Sequence, residues 1–140
     1  MRIRYYKQTD YQKLIGLYRK SDQFKFDEVT DSEEAITRKV EKDPVSLLVA
    51  EDNGIIVGSV SIIEDGRIAL LFRLVADPNR SDKDEILKDL AEKSELILKT
   101  RGYREMHNTA PTNDINALME RRKLGFQEGN TYTCFWKNIK

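Results

Sequence analysis

Asn113-Asp114-Ile115-Asn116-Ala117-Leu118-Met119-Glu120-Arg121-Arg122-Lys123-Leu124-Gly125-Phe126 is the stretch on which the fold turns. Pro111 ends the extended run before it, and Thr112 or Asn113 offers a side-chain oxygen to cap a helix. Ala117, Leu118, Arg121 and Leu124 then recur at helical spacing. Gly125 is the expected left-handed stop, because it has no Cβ to clash there. Phe126 tucks back as the chain enters residues 127–138, where Tyr132, Cys134 and Trp136 alternate as in a half-buried strand. A helix stopped by glycine and followed by a last strand is the expectation for this end.

Upstream, residues 103–109 read as another strand, and a long helix over residues 81–100 precedes it, with Leu87, Leu90, Ala91, Ile97 and Leu98 on its buried face and Gly102 just past its end. Before that helix come three strand-like runs, residues 47–50, 55–63 and 67–75, joined by turns at Asp52-Asn53-Gly54 and Asp65-Gly66. Nearer the start, residues 2–8 suggest a first strand, and Thr9 with Gln12 a capping box for a helix that carries Tyr11, Leu14, Ile15 and Tyr18 on one face. Asp31 and Glu34 open a second helix that runs through Val40 and is broken at Asp43-Pro44. The order strand, two helices, three strands, helix, strand, helix, strand implies an α/β (mixed α+β) layer structure. Its sheet is mixed and mostly antiparallel, with helices on both faces.

The chain of 140 residues reads as one domain, residues 1–140, with no repeat or linker. Its 24 basic and 24 acidic residues cancel, so no net field favours nucleic acid or an anionic membrane. No window approaches a membrane span and no apolar signal region opens the chain, which leaves a cytoplasmic location as the expectation. Cys134 is the only cysteine and His107 the only histidine, which excludes an internal disulfide and argues against a zinc centre; no metal site is expected. There is no Gly-x-Ser-x-Gly elbow to seat a nucleophilic serine.

The segment from 113 to 126 resembles the penultimate helix of the GNAT acyl-CoA N-acyltransferases, which reads Asn-x-x-Ala, an aromatic or aliphatic stretch often containing Tyr, then Leu-Gly-Phe. Ala117, Leu124, Gly125 and Phe126 keep that pattern, the Asn falls on Asp114 or Asn113, and the Tyr falls on Arg121. The element order is also that of the GNAT fold, and the resemblance covers nearly the whole chain. It implies acetyl-CoA as co-substrate and direct attack on it by a primary amine of a small molecule or protein. The alternative is a GNAT-fold binding or regulatory module without turnover. A homodimer is among the assemblies open to it.

In the resembled fold, phosphates sit on a glycine-rich loop at the start of the long helix. That loop corresponds here to Leu74-Val75-Ala76-Asp77-Pro78-Asn79-Arg80-Ser81-Asp82-Lys83, which has no glycine. The resemblance places cofactor contacts on Leu74, Val75, Arg80, Ser81, Asp82 and Lys83, with Asn113 and Arg121 from the later helix. Asp82 adds negative charge where an anion is expected, and the acidic residues there read equally as helix caps. For acid–base chemistry the resemblance points to His107, on a strand bordering the cleft, and to Tyr132 as a substitute proton donor with Cys134 beside it. Arg121 is permanently charged and gives up no proton at neutral pH. The acceptor side would be lined by the segment between the first two helices, including Phe24 and Phe26.

Overall fold

Leu47, Leu48, Val49 and Ala50 are all buried, yet they enter two different cores: Leu48 and Ala50 one, Leu47 and Val49 the other. Strand side chains alternate between faces, so this division means a sheet covered on both sides. The computed structural model describes residues 1–140. Its elements are β1 (Arg2–Tyr5), α1 (Tyr11–Lys20), α2 (Glu33–Lys42), β2 (Leu47–Asp52), β3 (Ile55–Glu64), β4 (Ala69–Ala76), α3 (Lys83–Thr100), β5 (His107–Asn108) and α4 (Ile115–Lys123). The strands form one sheet in sequence order, antiparallel from β1 to β4, with β5 parallel to β4.

One core lies under α3, whose Ile86, Leu87, Leu90 and Leu98 meet Val57, Val60, Ile62 and Leu71, with Leu124 and Phe126 packed at its edge. The other lies under α1 and α2, where Leu14, Ile15, Leu17, Tyr18 and Ile36 meet Leu47, Val49, Ile56 and Val75. Gly58 sets the height of α3 on the sheet, since a Cβ there would overlap Ile86 Cγ2 and lie 3.0 Å from Leu90 Cδ1. That close approach needs a glycine for its missing side chain.

The helix starts differ from the sequence expectation. A short 3-10 turn, Gln8–Asp10, leads into α1, and Asp10 rather than Thr9 closes it by accepting from Lys7 N at 2.8 Å. Asp10 also receives the Arg4 guanidinium at 2.7 and 2.9 Å, and Arg4 bonds Glu51 Oε1 at 2.9 Å, tying β1 and β2 to α1. Burial pushes the Asp10 carboxyl up, but the bonds from Arg4 and Lys7 outweigh it and hold the group below the usual range. Ser32, not Asp31, caps α2, accepting from Ala35 N at 3.1 Å.

The chain's end also departs from expectation. Of residues 103–109 only His107–Asn108 pair as β5. Residues 127–138 form no strand, and Tyr132 and Cys134 are exposed rather than core. Alternating side chains suit a strand but do not make one. A strand needs a neighbour's backbone, and nothing in the chain pairs with the outer edge of β5. The Gly125 stop is as expected, with φ 90, Gly125 N bonded to Arg122 O and Phe126 N to Arg121 O. No helix is long and apolar enough to cross a membrane.

Candidate active site

β4 and β5 pair only at Leu70 with His107 and Leu71 with Asn108. Beyond Leu71, β4 continues to Ala76 with β3 on one side and no strand on the other. At the parting, Arg73 takes φ 54, a left-handed conformation uncommon outside glycine. The ladder slips there, so that Ser61 faces Phe72 while Ser59 faces Val75. The bulge also resets the inward alternation, from Ala69 and Leu71 to Leu74. Arg73 holds this backbone with its side chain, bonding buried Asp31 at 2.9 Å and stacking on Phe24 and Phe72 with its guanidinium carbon 4.1 and 4.7 Å from the ring centroids.

A cavity of about 290 Å³ opens at this split, lined among others by Phe24, Arg73, Leu74, Asn108, Thr109 and Arg121. Asn108 Nδ2 donates to Leu71 O at 2.7 Å, and its Oδ1 accepts from Arg121 Nε. Arg121 Nη2 donates to Gln23 Oε1 at 2.9 Å, and Gln23 Nε2 to Glu120 Oε1 at 2.8 Å. This polar chain joins β5, α4 and the loop after α1 into one wall. Burial lowers the pKa of the Arg121 guanidinium, with Glu120 and Asp114 opposing, and its Nη1 has no hydrogen-bond partner.

A second cavity of about 90 Å³ shares Gln23 and Leu74 with the first and runs along Val75 and Ala76 to Lys83 at the start of α3. No side chain caps α3, because the Asp82 carboxylate faces Arg80, with both contacts at 2.9 Å. The first-turn amides of a helix have no intrahelical acceptor, so Lys83, Asp84 and Glu85 present donors and a partial positive charge here. The loop before them folds around Asp77 instead. Asn79 N donates to Asp77 Oδ1 at 3.0 Å, Arg80 N to Asp77 O at 3.1 Å, and Lys20 Nζ holds the same carboxylate at 2.9 Å. The residues present therefore fit an extended ligand laid along β4. Lys83 Nζ lies 3.2 Å from Glu120 Oε2, and Asp22 and Asp114 also line this cavity, so what it offers an anionic group without a competing carboxylate is the set of α3 first-turn amides. The loop amides of Asn79 and Arg80 are turned inward.

Phe24, Leu74, Val75, Lys83 and Arg121 thus come together around the two cavities. Arg80 and Asp82 lie beside the α3 start but are spent on each other, and Arg80 also meets Asp52 at 2.8 Å. Ser81 and Asn113 are exposed and line neither cavity, while Asp114 caps α4 by accepting from Ala117 N at 3.0 Å. Phe26 packs at the second core beneath Arg19, 5.1 Å away. His107 has a side chain 55% exposed, 3.3 Å from Glu105, and lines neither cavity; Tyr132 stands on the exposed tail. Sequence reading missed Gln23, Arg73, Asn108 and Glu120. Only Arg73 carried a signal, as the one charged residue inside the apolar run of β4.

No family model matches the chain. It is 35% identical over 107 residues to an acetyltransferase of Pectobacterium atrosepticum, a match covering 76% of this chain and 74% of that relative. Among solved structures, an N-acetyltransferase of Thermoplasma acidophilum in complex with coenzyme A superposes with a TM-score of 0.79 at 21% identity, over 94% of this chain and 92% of that one. An aminoglycoside 6'-N-acetyltransferase of Acinetobacter haemolyticus superposes with a TM-score of 0.76 at 19% identity over 100% of both chains. The split sheet, the helix start left open beside it and a relative sharing about a third of its residues lead to one assignment: the chain belongs to the GNAT acetyltransferases.

Proposed function

We propose that this chain is a single-domain, cytoplasmic N-acetyltransferase that moves an acetyl group from acetyl-CoA to a primary amine by direct attack. The observation that carries this reading is the parting of β4 from β5, which leaves the backbone of Phe72 to Ala76 open beside two adjacent cavities that share Gln23 and Leu74. Backbone groups of Leu74 and Val75 would hold the pantetheine arm as an added strand would be held. The α3 first turn and Lys83 would take a phosphate. Arg121, with Asn108 and Gln23, holds the wall where acyl group and amine meet. The larger cavity is lined by no carboxylate and no histidine, so the amine's proton passes to solvent water. His107, next in sequence to Asn108, would act on that water rather than on the amine.

The same lining bears on the acceptor. Arg73 is neutralised by Asp31, so Arg121 is the cation that faces this space, and with no acidic residue among the lining side chains it favours a neutral or anionic amine over a polycation. Calorimetric titration with acetyl-CoA, beside free CoA and ATP, tests the co-substrate. A panel setting amino acids against an aminoglycoside then tests the acceptor. Micromolar binding of acetyl-CoA unmatched by ATP supports the proposal, and absence of binding at millimolar ligand defeats it.

A second reading is a binding or regulatory module without turnover. The Asp77-centred loop without glycine, the commitment of Arg80 to Asp52 and Asp82, and Arg121 at the usual Tyr position favour it. Acetyl-CoA binding without product from any amine in the panel would select it.

A further inference from the structure

We propose that Glu120 is a positioning residue that links the cofactor end of the site to the acceptor end: its carboxylate serves Lys83 while the α3 first turn is empty, and turns to Arg121 once an anion occupies that turn. The inference rests on the reading of the α3 start as a phosphate site. Glu120 stands on α4 with one carboxylate for two cations. Its Oε2 lies 3.2 Å from Lys83 Nζ, and its Oε1 lies 3.7 Å from Arg121 Nη1. The second distance is too long for a hydrogen bond.

The two cations are unequally placed. The Lys83 side chain is 40% exposed and borders the smaller cavity, so water or a ligand can replace Glu120 as its partner. Arg121 is only 11% exposed. Its Nε and Nη2 are committed to Asn108 and Gln23, while Nη1 is buried with nothing to bond. A buried donor of a charged group left unbonded is the more costly of the two defects. Lys83 thus draws Glu120 away from the residue that needs it more. An anion at the α3 first turn takes Lys83 and repels the carboxylate, and both effects push Glu120 the same way. Closing on Arg121 from 3.7 Å to a charge-assisted bond of about 2.8 Å needs only a small turn of the side chain.

That turn acts at the far end of the site. Glu120 Oε1 already accepts from Gln23 Nε2 at 2.8 Å, and Gln23 Oε1 accepts from Arg121 Nη2 at 2.9 Å. A bond from Arg121 Nη1 closes these three side chains into a ring. Arg121 Nε in turn holds Asn108, whose Nδ2 reaches Leu71 O at 2.7 Å where β4 and β5 part. The wall of the larger cavity therefore sets when the cofactor's phosphate is in place, and by linkage an amine held against that wall tightens the cofactor in return.

The Nε–Hε resonance of Arg121, assigned by its loss in Arg121→Lys, tests this with 3′-phospho-ADP, which is CoA without the pantetheine arm. Saturation with that probe should shift the resonance. Lys83→Met should move it in the same direction with no ligand present, because it too frees Glu120. Glu120→Gln should abolish the probe's effect and yet tighten CoA binding by roughly 2- to 5-fold, since it removes a negative charge beside the helix start. A carboxylate with a merely structural role would weaken CoA binding when lost and leave the probe's effect intact. An Arg121 resonance unmoved by bound 3′-phospho-ADP, or unmoved by Lys83→Met, or still shifting in Glu120→Gln, would overturn the link while leaving the cofactor reading untouched. Lys83→Met, at an exposed helix start, decides the matter should Glu120→Gln fail to fold. Failure of CoA itself to bind would instead defeat the cofactor reading and the link with it.

Discussion

Asp31 and Arg73 form an ion pair 2.9 Å long with side chains only 3% and 11% exposed, and it secures the one left-handed non-glycine residue inside a strand. Forty-two positions separate the two in the chain, and the pair fixes the loop between α1 and α2 against the bulge of β4. Removing the carboxylate leaves a buried cation on a strained backbone. Asp31→Asn should lower stability by about 3 kcal/mol, read as a lower urea midpoint at unchanged slope. A double variant adding Arg73→Met should recover part of that loss.

Gly58→Ala should drive α3 away from the sheet through the overlap with Ile86, costing roughly 1–3 kcal/mol. Because the α3 first turn borders the smaller cavity, the same substitution should weaken CoA binding by calorimetry. Gly54→Ala, at a turn with open space around it, should leave CoA binding unchanged.

Asp82 holds Arg80 and places a negative charge beside the α3 start. Asp82→Ala should tighten CoA binding by roughly 2- to 5-fold, the size of a single charge effect at a helix end. Lys83→Ala should loosen it by a similar factor. Weaker binding in Asp82→Ala would place the anion away from this turn.

Arg121→Ala should open the wall shared by Asn108 and Gln23 and lower kcat/KM by roughly 10- to 100-fold, with acetyl-CoA affinity much less affected. Arg121→Lys keeps the charge without the fork and should recover little.

Acid should destabilise the protein in a defined window. Burial raises Asp10 and Asp77, but bonds from Arg4 and from Lys20 more than reverse this, and the Arg101 bonds hold Asp43 down as well. Groups depressed by folding contribute stability above their unfolded pKa of about 3.9, and it is lost as pH falls through the lower folded value. Urea midpoints should therefore be flat from about pH 5 to 7 and fall steeply below about pH 4. Asp10→Asn should make that fall shallower.

The meander, the long helix and the glycine stop of α4 were legible because each rests on local chemistry: turn residues, periodicity and a Cβ-free position. Of the residues around the cavities, Leu74, Val75 and Lys83 could be named because they coincide with those elements, and Phe24 and Arg121 through the family resemblance. Gln23, Asn108 and Glu120 escaped because their roles come from bonds between residues far apart, such as Gln23 to Glu120 across 97 positions. Residues 127–138 misled in the opposite sense: their alternation describes what the segment could pair with, while pairing depends on an edge the sequence does not reveal.

The sheet's sequential order also dictates a timetable. β2, β3 and β4 close through two tight turns and need no distant partner, so they and α3 can fold while the ribosome is still adding residues. The β4–β5 junction must join Asn108 to Leu71 across 37 positions, and the Arg121 wall waits for the final helix. The scaffold can therefore close without the cleft, and amide exchange should find the junction the first part to open.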